Sequence, residues 1–176
     1  MKVIILIGSG DESSHSLGLG QAISEQLTKM SAEVELINLV EYGLPLYNRT
    51  VERSQAQDEK TKTFLRKSYS TDVFVWVTPI YHNSFSSILK NALDWQHTKF
   101  PGKIVGMASN GGSRSPQAVD QLMLVARAQH MITARTRVST TESDYDDSKK
   151  LSNQDILERV KDFVDELIDL ADKHKV

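Results

Sequence analysis

The stretch Lys2-Val3-Ile4-Ile5-Leu6-Ile7-Gly8-Ser9-Gly10-Asp11-Glu12-Ser13-Ser14-His15-Ser16 decides the fold. Val3 to Ile7 is apolar without interruption, so no polar face remains and the segment reads as a strand covered on both sides. Gly8-Ser9-Gly10 stops it, and Ser14 to Met30 continues at helical spacing with Leu17, Ile23 and Leu27 on one face. A covered strand that runs through a glycine-serine loop into a helix opens a βαβ unit.

The alternation repeats along the chain. Glu33 to Ile37 alternates like a half-buried strand, and a polar helix is expected from about Asp58 to Ser70. Asp72 to Val77 is apolar on both faces. Phe85, Ile88, Leu89, Ala92 and Leu93 form the stripe of an amphipathic helix, with Ser84 a candidate cap. Pro101-Gly102 turns the chain into a fourth strand, Lys103 to Ala108, followed by a helix from Gln117 to His130. Met131 to Ser139 alternates as a fifth strand, and Asn153 to Lys173 closes the chain as a helix. The charged stretch Glu142 to Lys150 reads as a surface loop.

Strands one, three and four are apolar on both faces, whereas two and five alternate as sheet edges do. The expected class is therefore α/β, a flavodoxin-like three-layer sandwich around a five-stranded parallel sheet of order 2-1-3-4-5. Residues 1–176 are expected to form a single domain, a usual size for one core. In that order the switch point lies between strands one and three, where ligands bind beyond the carboxyl ends of the strands.

Composition narrows the function. A net charge of −2 argues against the basic footprint of a nucleic-acid binder, and the absence of cysteine excludes disulfides, thiolate metal sites and cysteine nucleophiles. Apolar runs are far shorter than the ~20 residues of a membrane helix. The N-terminal stretch lacks the features of a signal peptide, so a soluble, cytoplasmic protein is expected.

Three loops meet at the switch point. The first, Gly8 to Ser16, fits neither the dinucleotide fingerprint nor a P-loop. Its serines and its amides at a helix N-terminus suit a phosphate, although Asp11 and Glu12 count against one; alternatively, Ser13 or Ser14 merely caps the helix. The second loop, Thr78-Pro79-Ile80-Tyr81-His82-Asn83-Ser84, offers backbone and ring surface to a flat aromatic ligand, or is simply a proline-marked strand end. The third, Ser109-Asn110-Gly111-Gly112-Ser113, permits close backbone approach or is a tight turn. No nucleophile–histidine–carboxylate set or metal-ligand spacing is present in the sequence; His97, His130 and His174 lie apart and read as surface or structural residues.

Pro79-x-Tyr81-His82-Asn83-Ser84 running into Leu89-Lys90-Asn91-Ala92-Leu93-Asp94-Trp95 resembles the NAD(P)H-dependent FMN reductase family, the group of azobenzene, quinone and chromate reductases. Leu44-Pro45-Leu46-Tyr47-Asn48 resembles that family's segment after strand two. The resemblance implies FMN as cofactor and NADPH or NADH as hydride donor. Acceptors would be small molecules: quinones, azo compounds, metal oxyanions or free flavin. It implies that Ser9, Ser14 and Ser16 hold the FMN phosphate and that Pro79, Ile80, Tyr81, His82, Asn83 and Ser84 line the isoalloxazine and ribityl region. Ser109, Asn110, Gly111, Gly112 and Ser113 would close the other side of the ring, and no side chain need act as catalytic acid or base. The sequence departs from the family at Asp11, where an arginine is expected, at Ser16, where an asparagine is expected, and at Ser86, often a proline. The resemblance also implies a homodimer or homotetramer, with Trp95 and Phe100 either at the interface or finishing the subunit's own core. Arg49, Arg53 and Arg114 are candidates for a nicotinamide cofactor's 2′-phosphate by position alone. The competing classes are a flavodoxin-like electron carrier, which the small net charge disfavours, and a flavin-free binding module on the same fold.

Overall fold

Every second side chain of a strand faces the same side of its sheet, and the central strands here fill both sides with apolar residues. The computed structural model describes residues 1–54, 57–96 and 99–174. Its elements are β1 (Lys2–Ile7), α1 (His15–Lys29), β2 (Glu33–Asn38), α2 (Leu39–Tyr42), α3 (Arg49–Arg53), α4 (Glu59–Ser70), β3 (Val73–Pro79), α5 (Ser87–Trp95), β4 (Ile104–Asn110), α6 (Gln117–Ala128), β5 (Ile132–Thr133), β6 (Val138–Thr140) and α7 (Gln154–His174). The strands pair in parallel in the order β2-β1-β3-β4-β5, with β6 also on β4.

Val3, Ile5 and Ile7 of β1 and Val73, Val75 and Val77 of β3 meet Leu19, Ile23 and Leu27 of α1 and Phe163, Val164 and Leu167 of α7. Ile4, Leu6, Phe74 and Trp76 face the other way, onto Phe64 of α4, Leu89 and Leu93 of α5 and Leu122 of α6. Two cores thus share one sheet, which is what strands apolar on both faces require. Among the described residues, no helix is long and apolar enough to cross a membrane.

Two local expectations are corrected. The fifth strand is not continuous from Met131 to Ser139: β5 and β6 divide the edge of β4 between them. The backbone N–H groups of Arg135 and Thr136 each donate to the Glu166 carboxylate of α7 at 2.8 Å, so they leave the ladder at that point. Burial opposes ionisation of Glu166, but the donors from Thr136 and Arg135 outweigh it and hold its pKa below the ordinary value.

The cap of α5 is Ser86, not Ser84. Its Oγ accepts from Leu89 N at 3.1 Å and donates in a short hydrogen bond to the carbonyl of Gly8. Ser86 therefore starts a helix and ties the loop after β1 to the loop after β3. Ser86→Ala removes both links and leaves a buried carbonyl unpaired. The expected loss is about 2 kcal/mol of unfolding free energy, measured by urea denaturation.

Trp95 and Phe100 are buried within the chain. The Trp95 indole N–H donates to Pro45 O at 2.8 Å, and Phe100 packs on Phe74 and Tyr69. His97 lies outside the described residues.

Candidate functional site

Parallel strands release their loops at one edge, and those following β1, β3 and β4 enclose a cleft of about 320 Å³. That is the lower end of the size range for small-molecule sites. Ser9, Ser14 and Ser16 line its first side, Pro79, Ile80 and Tyr81 the second, and Asn110, Gly111 and Gly112 the third.

The first side is held open by its own hydrogen bonds. Ser9 Oγ accepts from Asp11 N at 3.1 Å, and Asp11 Oδ1 accepts from Ser13 N at 3.0 Å. Ser14 is the N-cap of α1, its Oγ accepting from Leu17 N at 3.1 Å. An accepting hydroxyl keeps its proton, so Ser9 and Ser14 can still each donate one hydrogen bond. The N–H groups of His15 and Ser16, in the first turn of α1, have no acceptor within the helix. Amides and hydroxyls at a helix N-terminus suit an anionic group. Capping and ligand binding are thus compatible roles for Ser14.

On the second side, Tyr81 and Ser84 exchange backbone hydrogen bonds of 3.0 and 2.9 Å across a two-residue turn. His82 and Asn83 occupy its centre with φ of 49° and 62°, as a type I′ turn demands. Gln121 of α6 accepts from Ser84 Oγ at 2.7 Å and donates to Asn83 O at 2.9 Å, clamping the turn. Tyr81 reaches the cleft, whereas His82 and Asn83 form an exposed tip and Ser84 is half-buried, all three beyond its lining.

On the third side, Ser109 is buried in β4, its Oγ 3.2 Å from Ser139 Oγ, and Ser113 is exposed outside the lining. Asn110 Nδ2 donates to Thr140 Oγ1 at 3.0 Å, and that hydroxyl lies 2.7 Å from the Tyr145 phenol. Burial pushes Tyr145 up to about 12, so it stays protonated at neutral pH. Its ring packs on His15 at 4.7 Å between centroids.

The cleft also takes residues that sequence reasoning left out of the site: His15, Glu142 and Lys149, together with Asp11. Glu142 and Lys149 belong to the charged loop between β6 and α7. Arg114, a candidate for recognising a 2′-phosphate, is bound to the buried Asp144 carboxylate, with Nη2 2.5 Å from Oδ1.

Comparison with known proteins adds an independent line. A family model described as NADPH-dependent FMN reductase matches residues 1–145. A relative from Staphylococcus saprophyticus, named FMN-dependent NADPH-azoreductase, is 32% identical over 178 residues, covering 96% of this chain and 94% of that protein. One of the same name from Staphylococcus aureus is 31% identical over 176 residues, covering 96% and 94%. Among solved structures, an oxidoreductase from Corynebacterium diphtheriae superposes with a TM-score of 0.83 at 18% identity, covering 98% of this chain and 97% of that one. FerB, a flavoenzyme NAD(P)H:(acceptor) oxidoreductase from Paracoccus denitrificans, gives 0.77 at 20% identity, covering 98% of each. At those identities the structures speak to the fold.

Proposed function

This chain belongs to the NADPH-dependent FMN reductase family, and from that premise we propose that the cleft is its FMN site. The protein is an FMN-dependent oxidoreductase that takes its hydride from NADPH or NADH. Its acceptors are electron-poor small molecules of the azo and quinone class, metal oxyanions and free flavin.

The observation that carries this reading is the chemistry of the three loops at the switch point. Spare hydroxyl protons on Ser9 and Ser14, with the first-turn amides of α1, suit a phosphate end. A β-carbon on Gly112 would meet no atom within 4 Å, which leaves open space beside the third loop for a planar ring.

When bound, FMN supplies hydride acceptance from a nicotinamide and its onward delivery to a second substrate. The chain's own residues hold and orient. Ser9, Ser14 and Ser16 grip the phosphate end, and Pro79, Ile80 and Tyr81 present backbone and ring to one side. The backbone of Asn110, Gly111 and Gly112 bounds the other. His82, Asn83, Ser84, Ser109 and Ser113 act by shaping the second and third loops, with the clamped turn fixing where Tyr81 stands. The Tyr145 phenol, protonated at neutral pH, braces Thr140 and Asn110.

Residues 1–176 form one FMN-binding domain in this reading, because both cores share a sheet. The protein works in the cytoplasm as a homodimer or homotetramer. Support for association is the exposure of Leu46, at 84%, and Leu124, at 67%. Light scattering of the holoprotein tests it.

The deciding experiment is a visible spectrum with and without added FMN, followed by NADPH consumption with a quinone and with an azo dye. Yellow protein, or uptake of FMN to one per chain, with acceptor-dependent NADPH oxidation is the expected result. A colourless protein that ignores saturating FMN overturns the reading. Turnover of NADPH without any partner protein separates a reductase from an electron carrier.

A further inference from the structure

Of the two acids in the first loop, Asp11 lines the cleft, and Glu142 stands on the same rim. A phosphomonoester brings about −1.5 to −2 charges of its own. Hydroxyls and amides carry no full positive charge to set against these two carboxylates. Lys149 does reach the cleft: its Nζ donates in a short hydrogen bond to Ser13 O and lies 3.6 Å from Asp11 Oδ2.

Contacts of this kind are often incidental, since exposed ion pairs contribute little. The mounting of Lys149 argues otherwise. Asp146 Oδ1 accepts from Ser148 N at 2.9 Å and Lys150 N at 3.0 Å, and Asp146 O accepts from Lys149 N at 2.9 Å, making a tight turn. The turn sits directly on α1, because a β-carbon on Gly18 would lie 2.1 Å from Lys149 O. Lys149 itself has φ of 62°, a left-handed conformation that glycine or asparagine adopts with less strain. A long cation thus occupies a position where backbone preference favours a small residue, and its head is delivered to a loop 136 residues away.

We propose that Lys149 supplies the positive charge for the FMN phosphate, with Asp11 as the counter-ion that keeps its ammonium over the first loop until the phosphate arrives. The inference rests on the FMN reading above. It places the charge that the first loop lacks on a different segment of the chain.

The test titrates flavin-stripped protein with FMN and with riboflavin, which lacks the phosphate, following flavin fluorescence. Lys149→Asn is expected to weaken FMN binding about 10-fold while changing riboflavin binding less than 2-fold. It should leave the apoprotein's thermal midpoint unchanged or raised, because asparagine suits the left-handed turn. Lys149→Arg should retain most FMN affinity, and the salt dependence of FMN binding should be shallower in Lys149→Asn than in the wild type. Equal FMN affinity in Lys149→Asn and wild type overturns the inference and leaves the FMN reading standing. Parallel losses for both flavins overturn it too, since they would mark a structural role. If the wild type binds neither flavin, the reading and the inference fall together.

Discussion

Tryptophan in place of Gly112 is expected to weaken FMN binding at least 100-fold, about 2.7 kcal/mol, while the apoprotein unfolds as before. Gly112 is exposed on the third loop, and a β-carbon there meets nothing within 4 Å. Its φ is not among the positive values, so a side chain adds no backbone strain. Substitutions at such positions change stability by about 0.5 kcal/mol or less. The indole then takes up space that the proposed ring needs. Gly111 provides the contrast: a β-carbon there would lie 2.9 Å from both Cβ and Cδ1 of Ile80, so Gly111→Ala disturbs packing as well as binding. Fluorescence titration with FMN and calorimetry of the apoprotein separate the two effects. Wild-type affinity in Gly112→Trp would place the ring elsewhere.

Elements that the sequence announces are those whose cause is local. Val3 to Ile7 and Val73 to Val77 are apolar on both faces, which places β1 and β3 inside the sheet and the three loops at the switch point. Ser14 caps α1 and Asp58 caps α4, each beside the helix that it starts. Elements with a distant cause were not legible. The break between β5 and β6 depends on Glu166, some thirty residues along the chain, which draws two amides off the ladder. Ser86 displaces Ser84 as the cap because Thr78 Oγ1 accepts from Ser86 N at 3.0 Å and Gly8 accepts from its hydroxyl. The site divides along the same line. Glycines and serines of the three loops advertise a cleft by composition, whereas Lys149 enters it from a loop with no periodicity and no motif. The left-handed turn at His82-Asn83 was hidden because neither residue is a glycine, although asparagine tolerates that conformation.

Asp144→Asn should cost about 3 kcal/mol of unfolding free energy at neutral pH, lowering the melting temperature by roughly 6–12 °C. The Asp144 carboxylate is fully buried and accepts from Thr141 N at 2.8 Å, Asn153 Nδ2 at 2.8 Å and Arg114 Nη2 at 2.5 Å. An amide in its place loses one acceptor and meets the guanidinium with no charge. The loss stays at the lower end for a broken buried pair, because the Arg114 side chain is 49% exposed and water screens it. Burial pushes the Asp144 carboxyl up, but the Thr141 and Asn153 hydrogen bonds and the Arg114 charge outweigh it and hold the group below its ordinary 3.8. A pKa lower in the folded than in the unfolded chain means that the native state favours the ionised form. That contribution is fully present above the unfolded value and disappears as pH falls through the folded one. The stability gap between wild type and Asp144→Asn should therefore be constant from about pH 5 to 8 and narrow below about pH 4, measured by denaturation at each pH. A gap of the same size at low pH would mean that shape, not charge, sets the cost. Asp144 also joins the third loop, through Arg114, to the segment that carries Glu142 and Lys149. The variant should accordingly weaken FMN more than riboflavin, since what it loosens is the mounting of the cation over the first loop.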